Sequence, residues 1–200
     1  MTKRVFDIAV SGAGLVVSAP LWALIAAAIR LDDGGPVFFT QPRVGRGGAT
    51  FTAYKFRSMT HDRHDPAPRQ AAERDPRVTR VGRILRATAM DELPQLWNIF
   101  RGDMSIVGPR PLAPGEIELR GDGRSLPMDA LPGYAARHAV RPGLTGLTQV
   151  YAPRDIPRAR KFRFDLLYVR RASLWLDLRL VALSFWITFR GRWEERGPKW

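Results

Sequence analysis

From Ile8 to Ile29 the chain runs 22 residues without a charged side chain, IAVSGAGLVVSAPLWALIAAAI. A helix of about 20 such residues reaches across the hydrocarbon core of a bilayer, so a transmembrane span is the default reading. Two features work against a straight span. Pro20 removes a backbone hydrogen bond and clashes with the preceding turn, which places a kink near Ser18 and Ala19. Lys3 and Arg4 precede the segment and Arg30 follows it, so neither end is marked as the non-cytoplasmic one. A helix that enters, bends at Pro20 and returns to the same face accommodates both. The simpler alternatives are a single span, or a signal peptide for which the small residues of ALIAAAI would suit cleavage.

The rest of the chain must partner something anionic. Its 200 residues hold 32 Lys and Arg against 19 Asp and Glu, a net charge of +13, which suits nucleic acid, a phosphorylated small molecule or an acidic lipid surface without choosing among them. The absence of cysteine excludes disulfides, thiolate metal sites and thiol catalysis. A hydrophobic share of 45% is enough to bury the core of one compact domain with an appended element.

Residues 172–189, ASLWLDLRLVALSFWITF, are apolar but carry Asp177 and Arg179, which makes spanning a membrane costly and favours an interfacial helix. Continued as one helix, this segment places Trp175, Trp186 and Trp193 on one face, since 11 and 18 residues are close to whole turns at about 3.6 residues each. Such a stripe suits the headgroup level, or equally the inside of a core. Upstream, Arg154 to Arg163 contains five basic residues against one Asp, a cluster for phospholipid headgroups or a solvated helical face.

In the middle of the chain, Val37 to Gln41 and Phe51 to Phe56 read as two strands of a hairpin joined by the glycine-rich turn Gly45 to Gly48. The polar, proline-rich THDRHDPAPRQAAERDPR is a loop. Its His61, Asp62, His64 and Asp65 match no zinc spacing. Beyond it, apolar residues at helical spacing flank Pro94, which predicts a helix from near Asp91 through Phe100. Asp91 and Glu92 then stand at its amino end, where acids are ordinary caps, and Thr88 with Asp91 matches a capping box. The same pair lies among Arg80, Arg83, Arg86 and Arg101, so carboxylates and phosphate-binding cations share one neighbourhood, as metal-assisted phosphoryl transfer requires. In GPRP, Pro109 and Pro111 fix the backbone on both sides of Arg110, whose planar fork suits a diphosphate. RPGLTG repeats the device with Arg141.

KFRSM at 55–59, DPRVTRVGRILR at 75–86, DELPQLWNIFRGDMSIVGPRP at 91–111 and RPGLTGLTQV at 141–150 resemble, in order and spacing, the bacterial sugar transferases. These are monotopic phosphoglycosyl transferases that start glycan assembly on a polyprenol phosphate. The resemblance extends from KRVFDIAVSG at 3–12 to FDLLYVRRASLWLDLRL at 164–180. It implies an α/β fold: a small helix-rich catalytic domain with a β-hairpin, over residues 33–200, fixed to the cytoplasmic face of the bacterial inner membrane by a re-entrant membrane helix, residues 1–32, and by interfacial amphipathic helices. The chain departs from the family's pattern in having Ala19 before the bending proline and Ala89–Met90 before the acidic pair.

Carried onto matching positions, the resemblance implies that Asp91 attacks the β-phosphorus of a UDP-sugar, releases UMP and holds the sugar phosphate covalently until a polyprenol (undecaprenyl) phosphate takes it. Mg²⁺ bound by Asp91 would bridge the diphosphate. Glu92 either positions the metal or deprotonates the acceptor. Arg86, Arg110 and Arg141, with Lys55 and Arg57, are the expected phosphate contacts. The expected partners are the UDP-sugar, the lipid phosphate and inner-membrane lipids, with no nucleic acid, and a homo-oligomer is left open. A membrane-tethered protein that only binds nucleic acid or anionic lipid would also account for the charge and the apolar ends, but not for an acidic pair inside the most basic stretch.

Overall fold

The computed structural model describes residues 2–60, 75–119, 125–153 and 156–193. The polar loop with His61 and His64 lies outside the described residues.

The uncharged run forms a single long helix, α1 (Thr2–Asp33), with Pro20 inside it. Proline's missing N–H leaves the Val16 carbonyl without its usual donor. The Ser18 hydroxyl donates instead to the Gly14 carbonyl (2.6 Å) and accepts from the Trp22 indole (3.0 Å). Helix α1 is the one described helix long and apolar enough to cross a membrane, and 11% of its apolar window is buried inside the protein. It is therefore no core helix. One side is nevertheless fastened along its whole length. Arg4 donates to the carbonyls of Ile99 and Phe100, and Lys3 pairs with Asp177 at 2.5 Å. The buried Asp7 accepts from the Ser105 hydroxyl and the Ile106 N–H. Toward the other end, Trp22 meets Phe56 edge to face, Ile25 and Ile29 pack with Phe56 and Leu85, and Asp32 accepts from the Val81 N–H at 3.0 Å. The opposite side leaves Val16, Val17, Leu24 and Leu31 exposed.

The expected hairpin forms from β1 (Phe38–Val44) and β2 (Thr50–Phe56), paired antiparallel around a turn in which Gly47 and Gly48 take positive φ. Alternation gives it two unlike faces. Phe38 and Phe56 stack on each other beneath Trp22, while Arg43, Ala53 and Lys55 point the other way, into a cleft.

Two short helices follow, α2 (Arg80–Ala87) and α3 (Gln95–Arg101). Asn98, fully buried, ties α3 to the hairpin like an extra strand residue: its carbonyl oxygen accepts from Tyr54 N–H and its amide donates to Thr52 O. Next come β3 (Ser105–Val107), the hairpin β4 (Ile117–Leu119) and β5 (Ser125–Pro127), the helical turn α4 (Tyr134–Arg137), and β6 (Gly143–Thr145), which pairs parallel with β3. Helices α5 (Leu147–Tyr151), α6 (Arg158–Arg171) and α7 (Leu174–Phe189) close the core around Ile99, Val107, Val150, Tyr168 and Leu180. The architecture is thus mixed helix and sheet with an apolar N-terminal helix.

Two expectations need correction. Helix α7 stops at Phe189. Gly191, with φ of 63°, turns the chain back, and Trp193 is drawn onto the core, where its indole donates to Thr188 and its N–H to Ala87 O. The aromatic stripe is therefore reduced to Trp175, 79% exposed, and Trp186, 50% exposed. Asp177, which interrupts that apolar helix, is buried at 1% exposure and accepts from Tyr168 OH, so its charge never faces the apolar surroundings.

Candidate active site

Asp91 and Glu92 do not open an α-helix as expected. They lie in a single 3₁₀ turn, Met90–Glu92, and α3 begins only after Pro94. The capping box does not form either: the Thr88 hydroxyl donates back to Ile84 O and Leu85 O and finishes α2. The break is made at Ala89, whose φ of 55° is the one positive value among the described non-glycine residues. A left-handed alanine costs roughly 1 kcal/mol. The turn it starts packs against both α2 and β2 and sets the acidic pair between them.

The pair's surroundings separate the two carboxyls. Glu92 is held by Lys55, whose ammonium donates to Oε1 at very short range, and Arg110 Nη2 lies 3.8 Å from the same oxygen. Burial favours its neutral form, but Lys55, Arg110 and Arg43 outweigh burial and push its pKa below the ordinary carboxylate range. Asp91 shows the opposite balance. Burial, at 8% exposure, with the negative charge of Glu92, raises its pKa against the pull of Lys55, Arg86 and Arg110. Its closest cation is Lys55, 3.9 Å from Oδ2, and among the described residues no donor hydrogen-bonds it. Asp91 is thus a nearly buried carboxylate with open lone pairs beside a cluster of cations.

Among the described residues no group of three His, Cys, Asp or Glu could hold a metal alone. The donor set still fits a hard cation such as Mg²⁺, which is commonly held by one or two carboxylates together with substrate phosphates. Asp91 has free oxygens to offer, while the Oε1 of Glu92 is occupied by Lys55.

The parallel pair β3–β6 brings the two Arg-Pro segments side by side. Gly108 N–H donates to Thr145 O and Gly143 N–H to Pro109 O. A Cβ on Gly143 would sit 2.0 Å from Gly108 N, so only glycine allows this approach. The arrangement delivers Arg110 and Pro111 to the cleft lined also by Arg43, Ala53, Lys55, Glu92, Gln95 and Leu144. The other expected contacts lie elsewhere. Arg141 Nε donates to Gly102 O at the end of α3 (2.7 Å), and Arg57 clamps the exit of α1, pairing with Asp33 and donating to Pro36 O. Arg86 Nη1 contacts the Met59 sulfur, 3.4 Å away, and is near enough to act on Asp91.

Two features escaped the sequence reading. Arg43 lines the cleft, and its signal was strand alternation, obscured because the strand seemed to end at Gln41. Behind the cleft, Arg137, 2% exposed, donates through Nε and Nη2 to Asp165 Oδ2 (2.9 and 2.8 Å), through Nη2 to the Arg110 carbonyl (2.6 Å) and through Nη1 to His138 Nε2. Thr148 donates to the other Asp165 oxygen. His138 Nδ1–H donates to Tyr134 O, and burial with the charge of Arg137 lowers its pKa to about 4, so the ring stays neutral.

The family model described as "Bacterial sugar transferase" matches residues 1–191. A protein of Komagataeibacter xylinus named undecaprenyl-phosphate glucose phosphotransferase is 46% identical over 190 residues, 92% of this chain and 35% of that protein. A UDP-glucose:undecaprenyl-phosphate glucose-1-phosphate transferase of Klebsiella pneumoniae is 42% identical, with 91% of this chain and 39% of that protein covered. An exopolysaccharide production protein of Rhizobium leguminosarum bv. phaseoli is 44% identical, with 90% of each chain covered. The chain thus spans little more than a third of the first two relatives and nearly all of the third.

Proposed function

Because the chain belongs to the bacterial sugar transferase family, we propose that it transfers a sugar 1-phosphate, with glucose the first candidate, from a UDP-sugar to undecaprenyl phosphate, releasing UMP. The names of the relatives support the substrates. The observation that carries the chemistry is the Asp91 carboxylate, nearly buried, free of hydrogen-bond donors and faced by Lys55.

In the first half-reaction an Asp91 oxygen forms a bond to the β-phosphorus, the bond to the bridging oxygen breaks, and UMP leaves with that electron pair. In the second, a phosphate oxygen of the lipid attacks the same phosphorus and displaces the Asp91 carboxylate, giving a polyprenyl diphosphate sugar. Lys55 and Arg110 neutralise charge on the phosphoryl oxygens and the departing nucleotide. Glu92, kept ionised and bonded to Lys55, orients that ammonium; a carboxylate with so low a proton affinity is a poor base. Mg²⁺ held by Asp91 and the diphosphate would supply further charge neutralisation between anionic nucleophile and anionic substrate.

The lipid acceptor places this chemistry at a membrane surface. Both ends of α1 bond to the same catalytic domain, through Lys3, Arg4 and Asp7 at one end and Asp32 and Asp33 at the other, which supports a helix that returns to its face of entry. The same bonds argue against a cleaved signal. The exposed Val16, Val17 and Leu24, with Trp175, Phe185 and Phe189, are the side chains we assign to the lipid of the cytoplasmic leaflet. The test is UMP release by detergent-solubilised protein with undecaprenyl phosphate across a panel of UDP-sugars. UDP-glucose is expected to be turned over fastest, and release with none of them would refute the activity.

A further inference from the structure

Arg43 is a half-buried guanidinium whose hydrogen-bond partners are both neutral: Nη2 donates to the Gln41 side chain at 2.6 Å and Nη1 to Pro111 O at 3.4 Å. Among the described residues no carboxylate lies within ion-pair reach of it. Burial and then the neighbouring cation Arg110 lower its pKa to about 10, against the smaller opposing pull of Glu116 and Glu92. Placing a cation out of water beside a second cation is unfavourable unless an anion joins them. In the β1–β2 register Arg43 faces Phe51, Gln41 faces Ala53 and Phe39 faces Lys55, so on the cleft face only the small, buried Ala53 lies between Arg43 and Lys55. The cleft thus carries three cations, Arg43, Lys55 and Arg110, and one carboxylate, Glu92.

We propose that Arg43 and Arg110 form a phosphate niche on the Glu92 side of the cleft, which takes the nucleotide-bearing phosphate of a nucleoside diphosphate sugar and then the nucleoside monophosphate it releases. This deepens, and rests on, the transfer reaction above. The assignment to that phosphate follows from position. Arg43 lines the cleft with Lys55, Glu92 and Arg110, whereas Asp91 lies outside that lining and has Lys55, 3.9 Å away, as its ion-pair partner. Arg43 is therefore set back from the nucleophile, suited to the phosphate one bridge removed from the phosphorus under attack. A guanidinium also offers two parallel donors to a phosphate where an ammonium offers a point charge.

The test is titration of the full chain in detergent with UMP, with inorganic pyrophosphate and with a short polyprenyl phosphate, comparing the wild type with Arg43→Lys and Arg43→Gln; UMP release from UDP-glucose is read on the same preparations. UMP affinity is expected to fall at least tenfold in Arg43→Gln and less in Arg43→Lys, with the lipid phosphate affinity unchanged. If Arg43→Gln does not fold, Arg43→Lys decides by the same criterion, a severalfold loss for UMP alone. Unchanged UMP affinity in an active preparation, or loss for the lipid phosphate instead, would overturn the niche while leaving the transfer reaction standing. If the wild type releases no UMP, the transfer reading fails and the pyrophosphate arm decides the niche: tenfold weaker binding in Arg43→Gln supports it, equal binding overturns it.

Discussion

Two ionic clusters lie back to back in this protein, and they differ in how completely they are satisfied. In the Arg137–Asp165 cluster each guanidinium nitrogen has an acceptor and both carboxylate oxygens have donors. Among the described residues, Asp91 beside the cleft has no hydrogen-bond donor, Arg43 within it has no carboxylate partner, and the cations lining the cleft outnumber its acids. A closed cluster gains nothing from a ligand; an open one is completed by one. The difference marks the first as scaffold and the second as site, although Arg137 reaches from one to the other through the Arg110 carbonyl.

The sharpest way to break the distinction is to alter one residue of each. Asp91→Asn keeps size and removes the nucleophile, so UMP release is expected to fall by at least about 1,000-fold with the fold intact by circular dichroism. Asp165→Ala strands the Arg137 charge in the interior, a loss of about 3–5 kcal/mol, seen as a lowered unfolding temperature before any assay. An Asp165 variant that stays as stable as wild type yet cannot turn over would move that cluster into the site.

Arg110 stands between the two, with its backbone in the scaffold and its half-exposed side chain in the cleft. Arg110→Lys is expected to leave stability within about 0.5 kcal/mol and to lower kcat/KM by about 100-fold through loss of the two-pronged contact. A parallel fall in both would make it a structural partner instead.

A smaller effect sharpens the contrast through pH. The folded pKa of Asp91 is raised from 3.8 to about 6, so its contribution to stability is fully present below about 4 and is lost as pH rises through about 6. Glu92, whose pKa is lowered, has its effect at more acid pH. Wild-type stability should therefore fall by roughly 2 kcal/mol between pH 4 and 6.5 relative to Asp91→Asn, measured by thermal unfolding of both across that range.

Local signals in the sequence reached far in this chain. The hairpin was legible because alternation and a glycine turn are local, and α1 because an uncharged run has few other uses. The helix expected at Asp91 was not, because a left-handed alanine at position 89 has no composition signature and Thr88 serves the helix before it instead of the one after. Trp193 left its stripe for the core because Gly191 ended the helix first. The cations divided in three dimensions in a way no spacing reveals: Lys55 and Arg110 meet at Glu92, whereas Arg57 and Arg141 cap carbonyls elsewhere. Arg137 and Asp165 are 28 residues apart and join only when α6 packs against α4.

The central claim is that Asp91 carries the sugar phosphate. Protein incubated with UDP-glucose and Mg²⁺ without lipid acceptor, quenched rapidly and weighed intact, should release at most about one UMP per chain in a burst and gain the mass of a hexose phosphate on the peptide containing Asp91, with neither seen in Asp91→Asn or in chelator. A preparation that transfers sugar phosphate once undecaprenyl phosphate is added, yet shows no burst and no adduct without it, would contradict the claim and leave Asp91 as a bystander to direct attack.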